Sequence, residues 1–269
     1  MSSVILAVAA LALYAAATWR VAAGFKQERL PRPRVKGQLS AFAGVALVLH
    51  AAVLYQQVYT PAGLDLGFFN ALSLVAWVIM ALLLLVLPTK PVENLGLLAM
   101  PMAGGAVVLS AVFRSESILP HAAGWGLQTH ILLAIVAYSI LTIAAVQALL
   151  LFFQDRQLRN RHPGGLLRAL PPLQTMEGLL FQMIGTGFFV LSLAVVSGMM
   201  FLEDMFAQHV AHKTVLSIIA WVIFGTLLWG RWQFGWRGRT AIAWSLGGFL
   251  ALMLAFFGSK LVLEVILQR

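Results

Sequence analysis

The chain has 269 residues, of which 61% are hydrophobic and 10% charged, with 17 Phe, 8 Trp and no Cys. Soluble domains are roughly 45–50% apolar and about 25% charged, so a soluble enzyme, a disordered chain and a secreted disulfide scaffold are excluded. Without Cys there is no thiolate metal site, no CxxCH attachment and no thiol redox chemistry. The formal charge of +9 is not a nucleic-acid signature, because Lys and Arg gather on the cytoplasmic side of membrane proteins for topological reasons.

Eight apolar segments follow in chain order, at 2–22, 39–58, 64–87, 94–112, 126–153, 175–202, 214–230 and 241–267. Each is close to or longer than the ~20 residues that span a bilayer. Their apolar residues come in long runs rather than in alternation, which predicts an all-α polytopic membrane protein and not a β-barrel. The whole chain, 1–269, reads as a single membrane domain. No positive charge precedes the first segment and Arg20 follows it, so the segment reads as an uncleaved helix.

The connections set the expected orientation. Of the 18 basic residues, 14 fall between segments one and two, three and four, five and six, and seven and eight. The other side keeps Arg114, Lys213, Lys260 and Arg269. The bias predicts that the four basic connections are cytoplasmic and that both termini lie outside, on the periplasmic side.

Individual segments carry further signals. The fourth holds Pro101, Gly104 and Gly105, which predicts either a kinked, packed helix or a partly unwound one lining a cavity. The fifth and sixth, at ~28 residues and about 42 Å, must tilt or project beyond the hydrocarbon. Trp229, Trp232 and Trp236, mixed with Arg231 and Arg237, predict a cytoplasmic interface anchor. The basic connection 154–173, with Pro163, Gly164, Gly165, Pro171 and Pro172, is expected to meet lipid headgroups. No long internal repeat, phosphate-binding glycine loop, HExxH helix or GxSxG elbow is present, and nucleic acid is not an expected partner.

The six histidines are distributed unevenly. The expected topology puts His121, His130, His209 and His212 at the outer face, His50 inside the second segment and His162 on the cytoplasmic side. Neutral imidazole ligates haem iron and several divalent metals. His130 and His212 each open a helix on one side and form the candidate pair to close on a planar macrocycle. The alternative is interfacial histidines bonded to backbone or water. His50 shares a helix face with Leu47, Leu54 and Gln57 and reads either as a functional intramembrane group or as one satisfied by a neighbouring helix. Glu177 opens the sixth segment, where a carboxylate complements the helix dipole, and Lys260 with Glu264 reads as an i, i+4 pair. The stripe Gly178, Gln182, Gly185, Phe189 and Ser192 predicts close approach of a neighbouring helix.

Three stretches of the second half carry a resemblance: LQTHILLAIVAYSILTIAAVQALLLFFQDRQL, LPPLQTMEGLLFQMIGTGFFVLSLAVVSG, and HKTVLSIIAWVIFGTLLWGRWQFGWRGRTAIAWSLGGFLALMLAFFGSK. From Leu127 onward (127–269), their order and spacing resemble the integral membrane cytochrome c assembly family. The nearer branch holds the HemX-like and YpjD-like proteins, with the CcsA subunit of cytochrome c synthetase more distant. The resemblance implies a multi-pass protein of the bacterial inner membrane that handles haem near its periplasmic face, with His130 at the position of an external haem-ligating His. CcsA proteins carry a Trp-rich WWD motif where this chain reads MMFLEDMFAQHVAHK, which has no Trp. Trp229 stands where they have an intramembrane haem-ligating His, and Leu267 stands near their second external His. Cytochrome c synthetase activity is therefore not expected.

The expected function is non-enzymatic: haem binding or transfer, or an accessory role in cytochrome c biogenesis or haem homeostasis. Haem is the expected cofactor, bound by His130 and by His212, with His209 and His50 as weaker candidates. Trp125 would cover the macrocycle, and Arg114 or Lys213 would pair with a propionate. Membrane lipids, cytochrome c maturation components and another inner-membrane protein are the expected partners. One rival is a scaffold or regulatory subunit of the same fold that no longer binds haem. The other is a small-solute transporter, to which Pro101, Gly104, Gly105 and His50 point.

Overall fold

A computed structural model describes residues 2–26, 33–113, 117–120, 124–159, 170–201, 211–258 and 261. Among the described residues eight helices are long and apolar enough to cross a membrane: α1 (Ser3–Lys26), α2 (Pro33–Val58), α3 (Phe68–Val86), α4 (Glu93–Val112), α5 (Trp125–Arg159), α6 (Leu173–Phe201), α7 (Ala211–Phe234) and α8 (Arg239–Met253, continued by a π-helical turn at Leu254–Gly258). In hydrocarbon every backbone polar group must be satisfied within the chain, so long apolar runs close their hydrogen bonds as helices. The chain divides into two compact units, residues 1–121 with 163–171 and residues 122–162 with 172–269.

The first unit is built from α1–α4. Ala7, Ala10, Tyr14 and Ala17 share one fully buried face of α1. Small residues on that face let the neighbouring helices approach closely. Ala7 and Ala10 pack with Val53 of α2 and Val107 of α4. Helix α4 runs unbroken through Pro101, and a Cβ at Gly104 would lie 2.6 Å from Leu11 of α1. Gly104 is therefore the point where α1 and α4 close.

A three-stranded antiparallel sheet, β1 (Tyr59–Thr60), β2 (Gly63–Asp65) and β3 (Ile118–Pro120), lies at one end of this unit. The sequence reading began the third helix at 64. Residues 63–65 instead form β2, and the helix starts at Phe68. Gly63, at φ 150°, allows the close approach of the Leu119 carbonyl, which occupies the place of a Cβ. The Asp65 carboxylate accepts from the backbone N–H groups of Gly67 (2.9 Å) and Ser117 (3.0 Å), fixing both connections.

The second unit is built from α5–α8. Helix α5 has 35 residues, seven more than the run expected from the sequence, and continues to Arg159 through a final polar turn. Its partner α6 closes on it at Gly187, where a Cβ would meet Leu141 at 2.7 Å. The expected glycine stripe does not make this seam: Gly178 and Gly185 face open space, and Phe189 is exposed. Of that stripe, Ser192 reaches a neighbour, accepting from Trp221 Nε1 of α7 at 2.8 Å. Gly187→Ala is expected to lower stability by about 1–3 kcal/mol through overpacking, read by denaturation in mixed micelles. Gly185→Ala, with room for the methyl, is expected to change it by under ~0.5 kcal/mol.

Candidate functional site

Trp125 and Gly126 open α5 beside Phe201, which ends α6. The Phe201 ring occupies the place of a Cβ on Gly126 and meets the Trp125 indole edge-on at 4.9 Å. About one turn further along α5 stands His130, half-buried. Its Nδ1 lies 2.9 Å from the Ala194 carbonyl oxygen and 3.2 Å from Ser197 Oγ. Ser197 in turn donates to the same carbonyl at 2.9 Å. A carbonyl only accepts, so Nδ1 carries the proton and the neutral ring keeps its lone pair on Nε2. Both contacts engage Nδ1, so neither uses the nitrogen that can bind a metal.

The other candidate residues are placed unequally. The contacts of Ser192 with Trp221 and of Glu177 with Arg231 make α6 and α7 antiparallel neighbours. His212, exposed at the start of α7, therefore shares the end of the unit that holds His130. Lys213 follows it, half-buried, and Trp125 is 72% exposed. His121, His162, His209, Arg114, Lys260, Glu264 and Leu267 lie outside the described residues. Among the described residues no three His, Asp or Glu side chains converge as a bare metal ion would require.

His50 belongs to the first unit and is fully buried. Nδ1 lies 3.4 Å from the Tyr14 hydroxyl and Nε2 lies 2.9 Å from Ser73 Oγ. Ser110 contacts Ser73 at 3.2 Å and donates to the Val107 carbonyl at 3.0 Å. The chain Tyr14–His50–Ser73–Ser110 thus ties α1, α2, α3 and α4 together. Both imidazole nitrogens are engaged, so the geometry is that of a histidine satisfied by its neighbours.

At the other end of the second unit, α6 begins at Leu173, so Glu177 lies past the first turn and is not the dipole-complementing acid expected from the sequence. Its Oε1 accepts from Arg231 Nη1 at 3.1 Å, and the same nitrogen donates to the Trp236 carbonyl at 3.2 Å. The guanidinium carbon lies 4.7 Å from the centre of the Phe181 ring. Trp236 fills the space over Gly230 and rests against Trp244 at 5.4 Å, while Gly235, at φ 66°, turns the chain out of α7. Trp229 is 55% exposed and meets Phe234 edge-on. Of the expected tryptophan anchor, Trp236 is packed into the turn between α7 and α8, while Trp229 and Trp232, the latter 82% exposed, stay on the surface as an anchor requires.

Sequence reasoning identified His130 but missed Ser197 and the Ala194 carbonyl. A lone Ser in the apolar run LAVVSG was the available signal for Ser197. A backbone carbonyl leaves none.

Comparison with known proteins places these features in a family. The cytochrome c assembly protein family matches residues 39–267, which extends well ahead of the resemblance from Leu127 onward. The chain is 32% identical over 230 residues to the inner membrane protein YpjD of Escherichia coli (strain K12), covering 83% of this chain and 86% of that protein. It is 27% identical over 154 residues to protein HemX of Brevibacillus brevis, covering 56% and 53%. It is 22% identical, in an alignment of 290 residues, to the cytochrome c biogenesis protein CcsA of Synechococcus sp. (strain JA-2-3B'a(2-13)), covering 82% and 83%. With eight helices able to span a bilayer, the chain is a multi-pass protein of the bacterial inner membrane and belongs to the cytochrome c assembly protein family.

Proposed function

We propose that this protein holds haem at the periplasmic face of the inner membrane, with His130 as an axial ligand to the iron. It would act as a carrier or accessory in cytochrome c biogenesis or haem homeostasis. The observation that carries the reading is the pinned imidazole of His130. Metal-ligating histidines almost always donate their other ring N–H to a carbonyl, carboxylate or water, which fixes the tautomer and orients the ring. The Ala194 carbonyl and Ser197 supply that arrangement here. Iron already seated in a macrocycle brings four donors and needs only one or two axial side chains from the protein.

His212, at the same end of the unit, would supply the second ligand, with His209 as the substitute. Trp125 would cover one face of the ring, and Lys213 or Arg114 would pair with a propionate. Bound haem would supply the iron and conjugated ring that a receiving protein needs. The absence of Cys means that ligation and packing, and no thioether, would hold it, as reversible handling requires. A relative named for cytochrome c biogenesis supports the assignment, and cytochrome c maturation components or another inner-membrane protein would be the partners.

The absorption spectrum of protein purified from haem-replete cells, with a pyridine haemochrome assay, tests the reading. A Soret band is expected that His130→Ala abolishes and His212→Ala weakens or shifts. No band in the parent protein would end the haem reading, and a band surviving both substitutions would end the ligand assignment.

A haem-free scaffold is the second reading. It is favoured by Trp229, exposed against Phe234 at a position where CcsA proteins resembling this chain carry a haem-ligating His. Three of the four features that suggested solute transport favour packing instead: α4 is continuous through Pro101, Gly104 abuts Leu11, and His50 has both nitrogens engaged, whereas Gly105 faces open space.

A further inference from the structure

A basic cavity in the second unit has no part in haem ligation. Tyr138 of α5 lies against Phe249 of α8 and against Phe256 and Phe257 beyond it. This antiparallel contact brings the last turns of α5 beside the first residue of α8. There a cavity of about 270 Å³ is lined by Phe152, Asp155, Arg156, Arg159 and Arg239.

Three guanidiniums thus converge on one concavity with one carboxylate among the described lining residues. That carboxylate is already engaged: Asp155 Oδ2 holds Arg159 Nε at 3.1 Å. The contact fixes one edge of the Arg159 guanidinium and leaves its terminal nitrogens to reach an anion. Arg239 opens α8, so the first-turn N–H groups of that helix add partial positive charge at the same place. All three arginines are exposed, yet they line one concavity, and like charges gathered together repel one another. An anion in the cavity would offset that repulsion. The planar, forked donors of a guanidinium match phosphate oxygens bidentately. The volume is below the roughly 300–1,000 Å³ of pockets that enclose drug-sized ligands, and so suits a headgroup better than a macrocycle.

We propose that this cavity is a phosphate-binding site, occupied at the membrane surface by the headgroup of an anionic phospholipid. Phe152 lines the cavity and ends the apolar run of α5 with Phe153, which is 50% exposed, and the site lies at a helix end. These features favour a lipid phosphate over free phosphate as the source.

The test titrates the purified full chain in detergent with short-chain phosphatidylglycerol, with phosphatidylcholine of the same chain length, and with inorganic phosphate. Bound adducts are read by native mass spectrometry. Phosphatidylglycerol is expected to bind in preference to phosphatidylcholine. Arg156→Gln with Arg239→Gln is expected to lower its affinity about thirtyfold, the combined effect of two cations at a membrane surface. Lys90→Gln with Arg237→Gln, an equal loss of charge outside the cavity, is expected to leave affinity within about twofold. If the Gln pair does not fold, Arg156→Lys with Arg239→Lys keeps the charge but loses the fork, and a severalfold loss is expected. Inorganic phosphate that binds alone and displaces the lipid would keep the site and make free phosphate an alternative source. Equal binding of both lipids, or equal loss from the two Gln pairs, would overturn the proposal.

Discussion

His50→Ala is expected to lower the stability of the first helical unit by about 3–5 kcal/mol. Interhelical hydrogen bonds in membranes average only ~0.6 kcal/mol and reach about 1.7, so the two imidazole contacts contribute about 1–3 kcal/mol between them. The larger part comes from the space left behind, since truncating a buried side chain to Ala commonly costs about 2–5 kcal/mol. His50 is fully buried, and the Tyr14 and Ser73 hydroxyls it serves are fully buried as well. The Tyr14 hydroxyl would lose its contact with the ring, whereas Ser73 would keep its contact with Ser110. His50→Gln, which can still reach one of them, is expected to cost about 1–2 kcal/mol. Denaturation in mixed micelles measures these differences. The absorption spectrum separates this role from ligation: if haem is bound, His50→Gln is expected to leave its band unchanged. A lost band with unaltered stability would reassign His50 as a ligand.

The fold was readable wherever the bilayer leaves the chain one solution. An apolar run of about 20 residues must be a helix, and each of the eight expected segments holds a membrane-length helix among the described residues, the third starting only at Phe68. What the bilayer does not dictate was harder to read. Helix rotation is one case, because lipid is as apolar as a core and removes the contrast that marks a buried face. Gly178, Gly185 and Gly187 look alike in the sequence, yet only Gly187 has α5 packed in the place of its side chain. The small sheet is another, since strands of two or three residues have no periodicity to detect.

The candidate site divides along the same line. His130 and His212 stand out because ionisable groups near helix ends are scarce in so apolar a chain. The groups that orient His130 come from α6, more than 60 residues away, and one is a backbone carbonyl. Glu177 looks like a helix-opening acid in the sequence, but α6 opens four residues earlier, and its partner lies 54 residues on, a pairing that the antiparallel packing of α6 and α7 creates.

That pair supplies the second large expected effect. Arg231→Met is expected to cost about 2–4 kcal/mol, and the reason is the carboxylate it leaves behind. The Glu177 side chain is 10% exposed and that of Arg231 is 40% exposed. Removing one partner of a fully buried pair costs about 3–5 kcal/mol, because the remaining charge stays desolvated and uncompensated. Partial exposure of the guanidinium lowers the figure, while its contacts with the Trp236 carbonyl and the Phe181 ring raise it again. Glu177→Gln keeps an oxygen that accepts from Arg231 and is expected to cost about 1–2 kcal/mol. If desolvation dominates, Arg231→Met combined with Glu177→Leu should lie within about 1 kcal/mol of the parent, since apolar replacement of both partners is often near neutral. The double-mutant cycle would then be strongly non-additive, with a coupling of at least about 2 kcal/mol. Simple addition of the two single-substitution costs would mean instead that Arg231 acts through the α7–α8 turn, holding Trp236 over Gly230, and that Glu177 is a bystander to it.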